Sequence, residues 1–189
     1  DRRKGRGRKL VAPPVKVFAE AKGIPVYQPE KVKSVEAIER IAALNPTCIV
    51  LAAYGQLLSA DILKVPTLGA VNVHASLLPK YRGPAPIHWA VIQGELETGV
   101  TTMLMDTGID TGDILMQRQV PIEPTDTAGS LHDRLAQEGA TLLVETLKLL
   151  QQGTLRPRAQ DDSKATYAPM LAKEDGEIDW QEDAETICC

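Results

Sequence analysis

The chain contains the stretch Ala70-Val71-Asn72-Val73-His74, an apolar run that two polar side chains interrupt. Upstream lies a second run, Cys48-Ile49-Val50-Leu51-Ala52-Ala53, which is continuously apolar and too short for a helix between its breakers. Short apolar runs of this kind are typical of strands that are buried on both faces of a parallel sheet. The two runs therefore predict two strands of such a sheet.

Helical and strand patterns alternate on both sides of these runs. Helices are expected over residues 15–21, 35–44, 59–64, 84–93 and 127–151, and further strands over 24–27, 100–105 and 114–120. Strands that alternate with helices predict an α/β fold with crossover connections. Open sheets of this class bind ligands at the carboxyl ends of their strands, and Asn72 and His74 stand near such an end.

The composition indicates a folded globule with a charged leader. The 189 residues are 43% hydrophobic and 24% charged, which excludes a disordered or collagen-like chain. The net charge of −4 is unevenly distributed, because six of the first ten residues are Arg or Lys and one is Asp. A basic leader on an acidic globule predicts a contact with a polyanion, and a nonspecific tail is the alternative.

The three cysteines form neither a disulfide framework nor a CxxC metal motif. Cys48 lies in an apolar run, and Cys188-Cys189 are adjacent. This usage predicts a reducing compartment, so a cytoplasmic protein is expected. The three histidines lie far apart in sequence, so no metal is expected. No apolar run is long enough to span a bilayer, so no membrane association is expected either.

Asn72 and His74 are two residues apart, so both side chains project from the same face of a strand. That face offers an amide donor and a titratable imidazole aimed at one point. The pair suits a reaction in which negative charge develops on oxygen, because the amide and a protonated imidazole can both donate to that oxygen. Two structural polar residues, each satisfied by backbone groups, are the alternative.

The loop 106–113 holds three acidic residues and two glycines, with Asp110 in its middle. Glycine permits a tight or left-handed backbone, which could bring a carboxylate against the strand that carries His74. A carboxylate beside an imidazole favours the protonated ring. A calcium loop and a hairpin turn with solvated acids are the alternatives, although the loop is shorter than an EF-hand loop and lacks its terminal Glu.

The stretch Ser76-Leu77-Leu78-Pro79 follows the Asn72/His74 strand directly. Its two leucines and its proline can form an apolar wall beside the polar pair, as a site for a flat organic ligand requires. A structural loop that leads into the next helix is the alternative.

Taken together, these residues resemble the folate-dependent formyltransferases. The resemblance covers nearly the whole chain and rests on residues 1–16, 71–83 (VNVHASLLPKYRG), 105–113 (MDTGIDTGD), 126–129 (DTAG), 165–169 (ATYAP) and 174–180 (EDGEIDW). The Asn-x-His pair with a distant Asp resembles the pattern found across the wider superfamily. The leader and the stretch 165–180 are similar to the branch that acts on initiator tRNA.

The resemblance implies a Rossmann-like formyltransferase fold with a mostly parallel sheet. It also implies an enzyme that uses 10-formyltetrahydrofolate as co-substrate and no metal. Asn72, His74 and Asp110 fall on the family's catalytic trio, which would hold the oxyanion and keep the imidazole protonated. Ser76 to Pro79, including Leu77 and Leu78, fall on a stretch that touches the folate.

The implied acceptor is the amino group of methionyl-initiator-tRNA, in translation initiation. The leader falls on a loop that the family uses on the acceptor end of tRNA, which makes Arg6, Arg8 and Lys9 the expected tRNA contacts. A monomer is expected. Two other functions stay open: a formyltransferase that acts on a sugar nucleotide or a purine precursor, and a noncatalytic RNA-binding module of the same fold.

The resemblance also implies that the sequence is a piece of a longer protein. Residues 1–155 are expected to form the catalytic domain without the family's first strand, helix and second strand. Residues 156–189 are expected to lead, as a linker, towards a C-terminal tRNA-binding barrel that the sequence lacks.

Overall fold

The structure is a computed structural model that describes residues 2–4, 9–184 and 187. The chain divides into two compact units, Asp1–Val32 and Lys33–Cys189. In the described ranges, no helix combines the length and the apolar character that a membrane crossing requires.

The first unit holds a two-stranded antiparallel ribbon of β1 (Arg2–Lys4) and β2 (Lys9–Val11), followed by α1 (Pro14–Ala21). Proline at the start of α1 supplies the φ angle that a first helical turn needs. The strand predicted over residues 24–27 is wrong, because this segment is irregular. Pro25 has no N–H to give to a ladder, and no described strand pairs with the segment.

The second unit alternates helices with strands. In chain order these are α2 (Val35–Ala43), β3 (Ile49–Ala52), α3 (Ala60–Leu63), β4 (Ala70–His74), α4 (Pro86–Ile92), β5 (Glu97–Leu104), β6 (Ile114–Pro121) and α5 (Ala128–Gln151). Each predicted helix and every predicted strand of this unit is confirmed, with shifted ends. The α/β class is confirmed with them.

The four strands of this unit lie in the order β3-β4-β5-β6. β3 and β4 are parallel, whereas β4–β5 and β5–β6 are antiparallel. The expectation of a mostly parallel sheet is therefore corrected for these strands. One reason is the loop between β5 and β6, which is too short for the crossover that a parallel pair needs.

Helix α5 covers one face of the sheet. It begins with a capping box in which Thr127 and Ser130 satisfy each other's backbone N–H groups. Gly139 lets the helix approach closely, because a Cβ there would lie 3.1 Å from Val73 Cγ1. The core on this face consists of Val100, Val120, Leu131, Leu135 and Leu142.

The opposite face of β4 and β5 carries the polar residues. Asn72 pairs with Met103 and His74 with Thr101, so the four side chains share this face. A second apolar cluster forms here from Leu78, Met103 and Ile114. The loop that follows β4 is thus packed on the sheet beside Asn72 and His74.

The core under α5 gives a stability prediction. Leu142 is 1% exposed, and Leu142→Ala should lower the free energy of unfolding by about 2–5 kcal/mol, because it removes buried methyl groups and leaves a cavity. Val144 on the same helix is 52% exposed, and Val144→Ala should change the free energy of unfolding by less than about 0.5 kcal/mol. Urea unfolding of both variants measures the difference, and equal effects would contradict this packing.

Candidate active site

The site forms where the parallel strands β3 and β4 end. Ala52 pairs with Val73, so the carboxyl ends of the two strands lie at the same edge of the sheet. His74 is 6% exposed and Asn72 is partly buried. Because side chains alternate along a strand, Val73 packs against the core under α5 while its two neighbours face the other way.

One nitrogen of the His74 ring is held by the backbone. Nε2 donates to the carbonyl oxygen of Tyr81 at 2.9 Å. Because a carbonyl oxygen can only accept, this bond places a hydrogen on Nε2 and leaves Nδ1 as the atom that gains or loses a proton.

Tyr81 is itself held firmly. Its φ is 59°, in the left-handed region, and its N–H donates to Thr166 Oγ1 at 2.8 Å. Its hydroxyl donates to Glu95 Oε1 at 2.7 Å. Burial and then the bond to Glu95 raise the pKa of the Tyr81 phenol, and the same bond leads the causes that hold the pKa of Glu95 below its ordinary value.

The carboxylate of Asp110 meets both predicted partners. Oδ1 lies 3.6 Å from His74 Nδ1 and accepts from Asn72 Nδ2 at 3.5 Å. Oδ2 accepts from the backbone N–H of Gly83 at 2.8 Å. The side chain of Asp110 is 15% exposed, so these partners replace most of its water. The structure thus brings together Asn72, His74 and Asp110.

Asp106, in the same loop, forms hydrogen bonds within the loop itself. Oδ1 of Asp106 accepts from Gly108 N at 2.9 Å and from Thr111 Oγ1 at 2.8 Å. Among the described residues, no group of three or more His, Cys, Asp or Glu side chains is placed to hold a metal ion. The geometry of Asp106 fits a turn and gives no support to the calcium alternative.

Thr101 of β5 and Gln117 of β6 hold the loop 76–79, which is predicted to contact the folate, against the sheet. Thr101 Oγ1 donates to Ser76 O at 2.6 Å and accepts from Leu78 N at 3.1 Å. Gln117 Nε2 donates to Leu78 O at 2.9 Å. The hydroxyl of Ser76 is buried and donates to Lys80 O, so Ser76 shapes the loop from inside.

Two side chains of that loop reach the surface in part. Leu77 and Pro79 are partly exposed, while Leu78 is buried at 3% and anchors the loop. A ligand would therefore meet Leu77, Pro79 and the main chain rather than the Ser76 hydroxyl.

The predicted tRNA contacts lie in the first unit. Arg6 and Arg8 fall outside the described residues, and Lys9 begins strand β2. The assignment of these three residues as tRNA contacts therefore stays a prediction.

The sequence did not reveal three groups at the site. The Tyr81 carbonyl and the Gly83 N–H are main-chain groups, and Gln160, whose amide donates to the backbone carbonyls of Asp110 and Gly112, belongs to an irregular segment. Of the three, only Gly83 is marked by its residue type, because its φ of 111° and a Cβ position 2.7 Å from Tyr167 Cε2 require glycine.

The arrangement suits chemistry at a carbonyl carbon. The amide of Asn72 and Nδ1 of the His74 ring both face Oδ1 of the Asp110 carboxylate, and the Gly83 N–H holds its other oxygen. Such a set can donate to a developing oxyanion and pass a proton to and from a neighbouring atom.

Comparison with known proteins gives a consistent picture. A family model described as formyl transferase matches residues 1–147. The chain is 57% identical to the methionyl-tRNA formyltransferase of Citrifermentans bemidjiense, over 99% of this chain and 59% of that protein. It is 56% identical to the enzyme of the same name from Geobacter metallireducens, over 99% of this chain and 60% of that protein. The chain thus spans about three fifths of the length of these relatives.

Solved structures share the fold. The formyltransferase PseJ from Anoxybacillus kamchatkensis, in complex with UDP-4,6-dideoxy-4-formamido-L-AltNAc and tetrahydrofolate, has a TM-score of 0.68 and 27% identity. The match covers 86% of this chain and 83% of PseJ. HypX from Aquifex aeolicus, in complex with tetrahydrofolic acid, has a TM-score of 0.69 and 22% identity over 81% of this chain and 27% of HypX.

The loop that carries Asp110 gives a second prediction. A Cβ on Gly112 would overlap the carbonyl oxygen of Leu104. Gly112→Ala should therefore displace the loop and lower the free energy of unfolding by about 1–3 kcal/mol. Gly176→Ala is the matched control, because nothing lies within 4 Å of a Cβ there. Urea unfolding compares the two, and a neutral Gly112→Ala would refute the close approach.

Proposed function

The chain belongs to the formyl transferase family, and we propose that it is the catalytic part of a methionyl-tRNA formyltransferase. The reaction transfers a formyl group from 10-formyltetrahydrofolate to the amino group of methionyl-initiator-tRNA in translation initiation. The observation that carries the proposal is the meeting of Asn72, His74 and Asp110 at the end of β4. Identity of 57% to a relative of that name supports the choice of substrate.

Asn72 and His74 stabilise the tetrahedral intermediate. The methionyl amine attacks the formyl carbon, and the carbonyl oxygen becomes an oxyanion. Asn72 Nδ2 and Nδ1 of the protonated His74 ring donate to that oxygen, and His74 is buried and Asn72 partly buried, so each bond is stronger than it would be in water. Collapse of the intermediate breaks the bond from carbon to the folate nitrogen.

Asp110 handles the proton balance. The attacking amine loses one proton, and the departing folate nitrogen gains one. Asp110 lies 3.6 Å from His74 Nδ1, and its carboxylate can take the amine proton through water and pass a proton on to the departing folate nitrogen. The fixed Nε2 bond keeps the ring in the orientation that this exchange needs.

The folate ring packs against the edge formed by Leu77 and Pro79, with Ser76 and Leu78 locking that edge onto the sheet. When bound, 10-formyltetrahydrofolate supplies the activated formyl group. Arg6, Arg8 and Lys9 bind the phosphates of the tRNA acceptor end, and the excess of basic residues in the leader supports this role. The protein acts as a cytoplasmic monomer without a metal.

A sugar nucleotide is the second candidate acceptor. It rests on the likeness to PseJ, which was crystallised with a formamido-sugar nucleotide and is 27% identical, against 57% for a relative named for tRNA. The basic leader favours tRNA. Rates of formylation of methionyl-initiator-tRNA and of an amino-sugar nucleotide by the full gene product decide between the two.

The trio gives a third prediction. His74→Ala should lower the turnover number for formylation about 100- to 1,000-fold, because it removes an oxyanion donor and the proton-exchanging group. Binding of tRNA should be retained. His88→Ala is the control, because His88 is exposed on α4 and should leave turnover unchanged.

The measurement is a single-turnover assay with charged initiator tRNA and 10-formyltetrahydrofolate. Unchanged turnover in His74→Ala would remove this residue from the mechanism. A wild-type protein that binds RNA without formylating it would support the noncatalytic RNA-binding module instead.

The leader gives a fourth prediction. Replacing Arg6, Arg8 and Lys9 with Ala should weaken tRNA binding and reduce the slope of log affinity against log salt by about 2 to 3, because fewer counterions are released. The rate with saturating tRNA should persist. The control replaces three exposed cations elsewhere, Lys148, Arg156 and Lys173. A salt slope equal to that of the wild type would refute the contact.

A further inference from the structure

Residues 158–168, here called the strap, run across the loops that build the site. At one end, Arg158 exchanges two backbone hydrogen bonds with Ile114, of 2.8 Å and 2.9 Å. Towards the other end, Arg82 N donates to Thr166 O at 2.9 Å. The predicted boundary between residues 155 and 156 stays a prediction, and the strap just after it contacts the site.

Gln160 is the strap residue that reaches the catalytic loop. Its Nε2 donates to the carbonyl oxygen of Asp110 at 2.8 Å and to that of Gly112 at 2.7 Å. Asp110 has a φ of 53°, in the left-handed region. This backbone is less favourable for aspartate than for glycine, and bonds from outside the loop stabilise it.

Arg82 fixes the orientation of the Gln160 amide. Its Nε and Nη2 donate to Gln160 Oε1 at 3.1 Å and 2.8 Å. A guanidinium has no acceptor, so the amide atom that faces it must be the oxygen. The NH₂ group is thereby directed at the two carbonyls. The Arg82 side chain is 12% exposed, and it also pairs with Asp162 at 2.7 Å.

We infer that Gln160 is a positioning residue, which holds the backbone of Asp110 so that its carboxylate meets His74 and Asn72. The inference rests on the proposed function for its kinetic consequence. Gln160 itself bonds to neither of the two partners of the carboxylate. It acts through the loop backbone, and the Gly83 N–H then fixes the other carboxylate oxygen.

Glutamate cannot take this role. It has the same length as glutamine and could still accept from Arg82, but its carboxylate has no donor for the two loop carbonyls. Gln160→Glu therefore places a negative carboxylate next to the carbonyl oxygens of Asp110 and Gly112. The repulsion should move Asp110 away from His74. Gln160→Met keeps a similar length, carries no charge and loses the same two donated bonds.

The test uses the full gene product with methionyl-initiator-tRNA and 10-formyltetrahydrofolate. Both variants should lose about 10- to 100-fold in kcat, because small displacements of a catalytic group have effects of this size. The KM for the formyl donor should stay within about threefold, because the Gln160 amide donates to the backbone of the β5–β6 loop, which is not part of the Leu77/Pro79 edge. Gln137→Glu, on the exposed side of α5, is the matched control and should leave kcat unchanged.

A second readout does not depend on activity. Nitrogen-15 NMR of labelled histidine rings should show shifted His74 signals in both variants, assigned by their loss in His74→Gln. The exposed His88 and His132 serve as references and should not move. Shifted His74 signals together with a loss of kcat support the inference.

Two results would overturn it. One is an unchanged kcat in both variants. The other is a lower melting temperature with unmoved His74 signals, which is the signature of a merely structural contact. If the wild type fails to formylate methionyl-tRNA, the proposed function fails, and the NMR readout still decides whether Gln160 positions Asp110. If Gln160→Glu does not fold, Gln160→Met is judged by the same two criteria.

Discussion

The carboxylate of Asp110 joins three parts of the chain that are separate in sequence. It receives the amide of Asn72 from strand β4 and the N–H of Gly83 from the loop after that strand, and it faces the ring of His74. A carboxylate with so little water must be paired. The positions of the strand, the loop after it and the β5–β6 loop are therefore linked, and the geometry of the site follows from this one group.

Strand β4 makes that linkage possible by serving two faces. Val71 and Val73 alternate with Asn72 and His74, so a single five-residue strand gives apolar side chains to the face under α5 and polar ones to the site. Gly139 allows α5 to lie close to the first face. A rigid apolar layer behind the polar pair keeps both side chains in fixed orientations, which catalysis by preorganised donors requires.

Sequence patterns were sufficient for the local features of this arrangement. The spacing of two residues placed Asn72 and His74 on one face, and the glycines around Asp110 indicated a loop able to bring a carboxylate to them. Patterns failed where pairing partners decide the outcome, as for residues 24–27 and for the antiparallel direction of β5. They had no access to Gln160, because no local pattern records a side chain that bonds to backbone carbonyls fifty residues away.

The strap supports the site with residues that come much later in the chain than the residues they contact. Tyr81 N bonds to Thr166, 85 residues later in the chain, and Gln160 reaches back 50 residues to Asp110. Ordering such distant contacts closes long loops, which is slow and costs entropy. The loops around Asp110 are therefore held in part by residues that are synthesised after the sheet and α5. These supports for Tyr81 and Asp110 exist only once the residues that follow α5 have been synthesised.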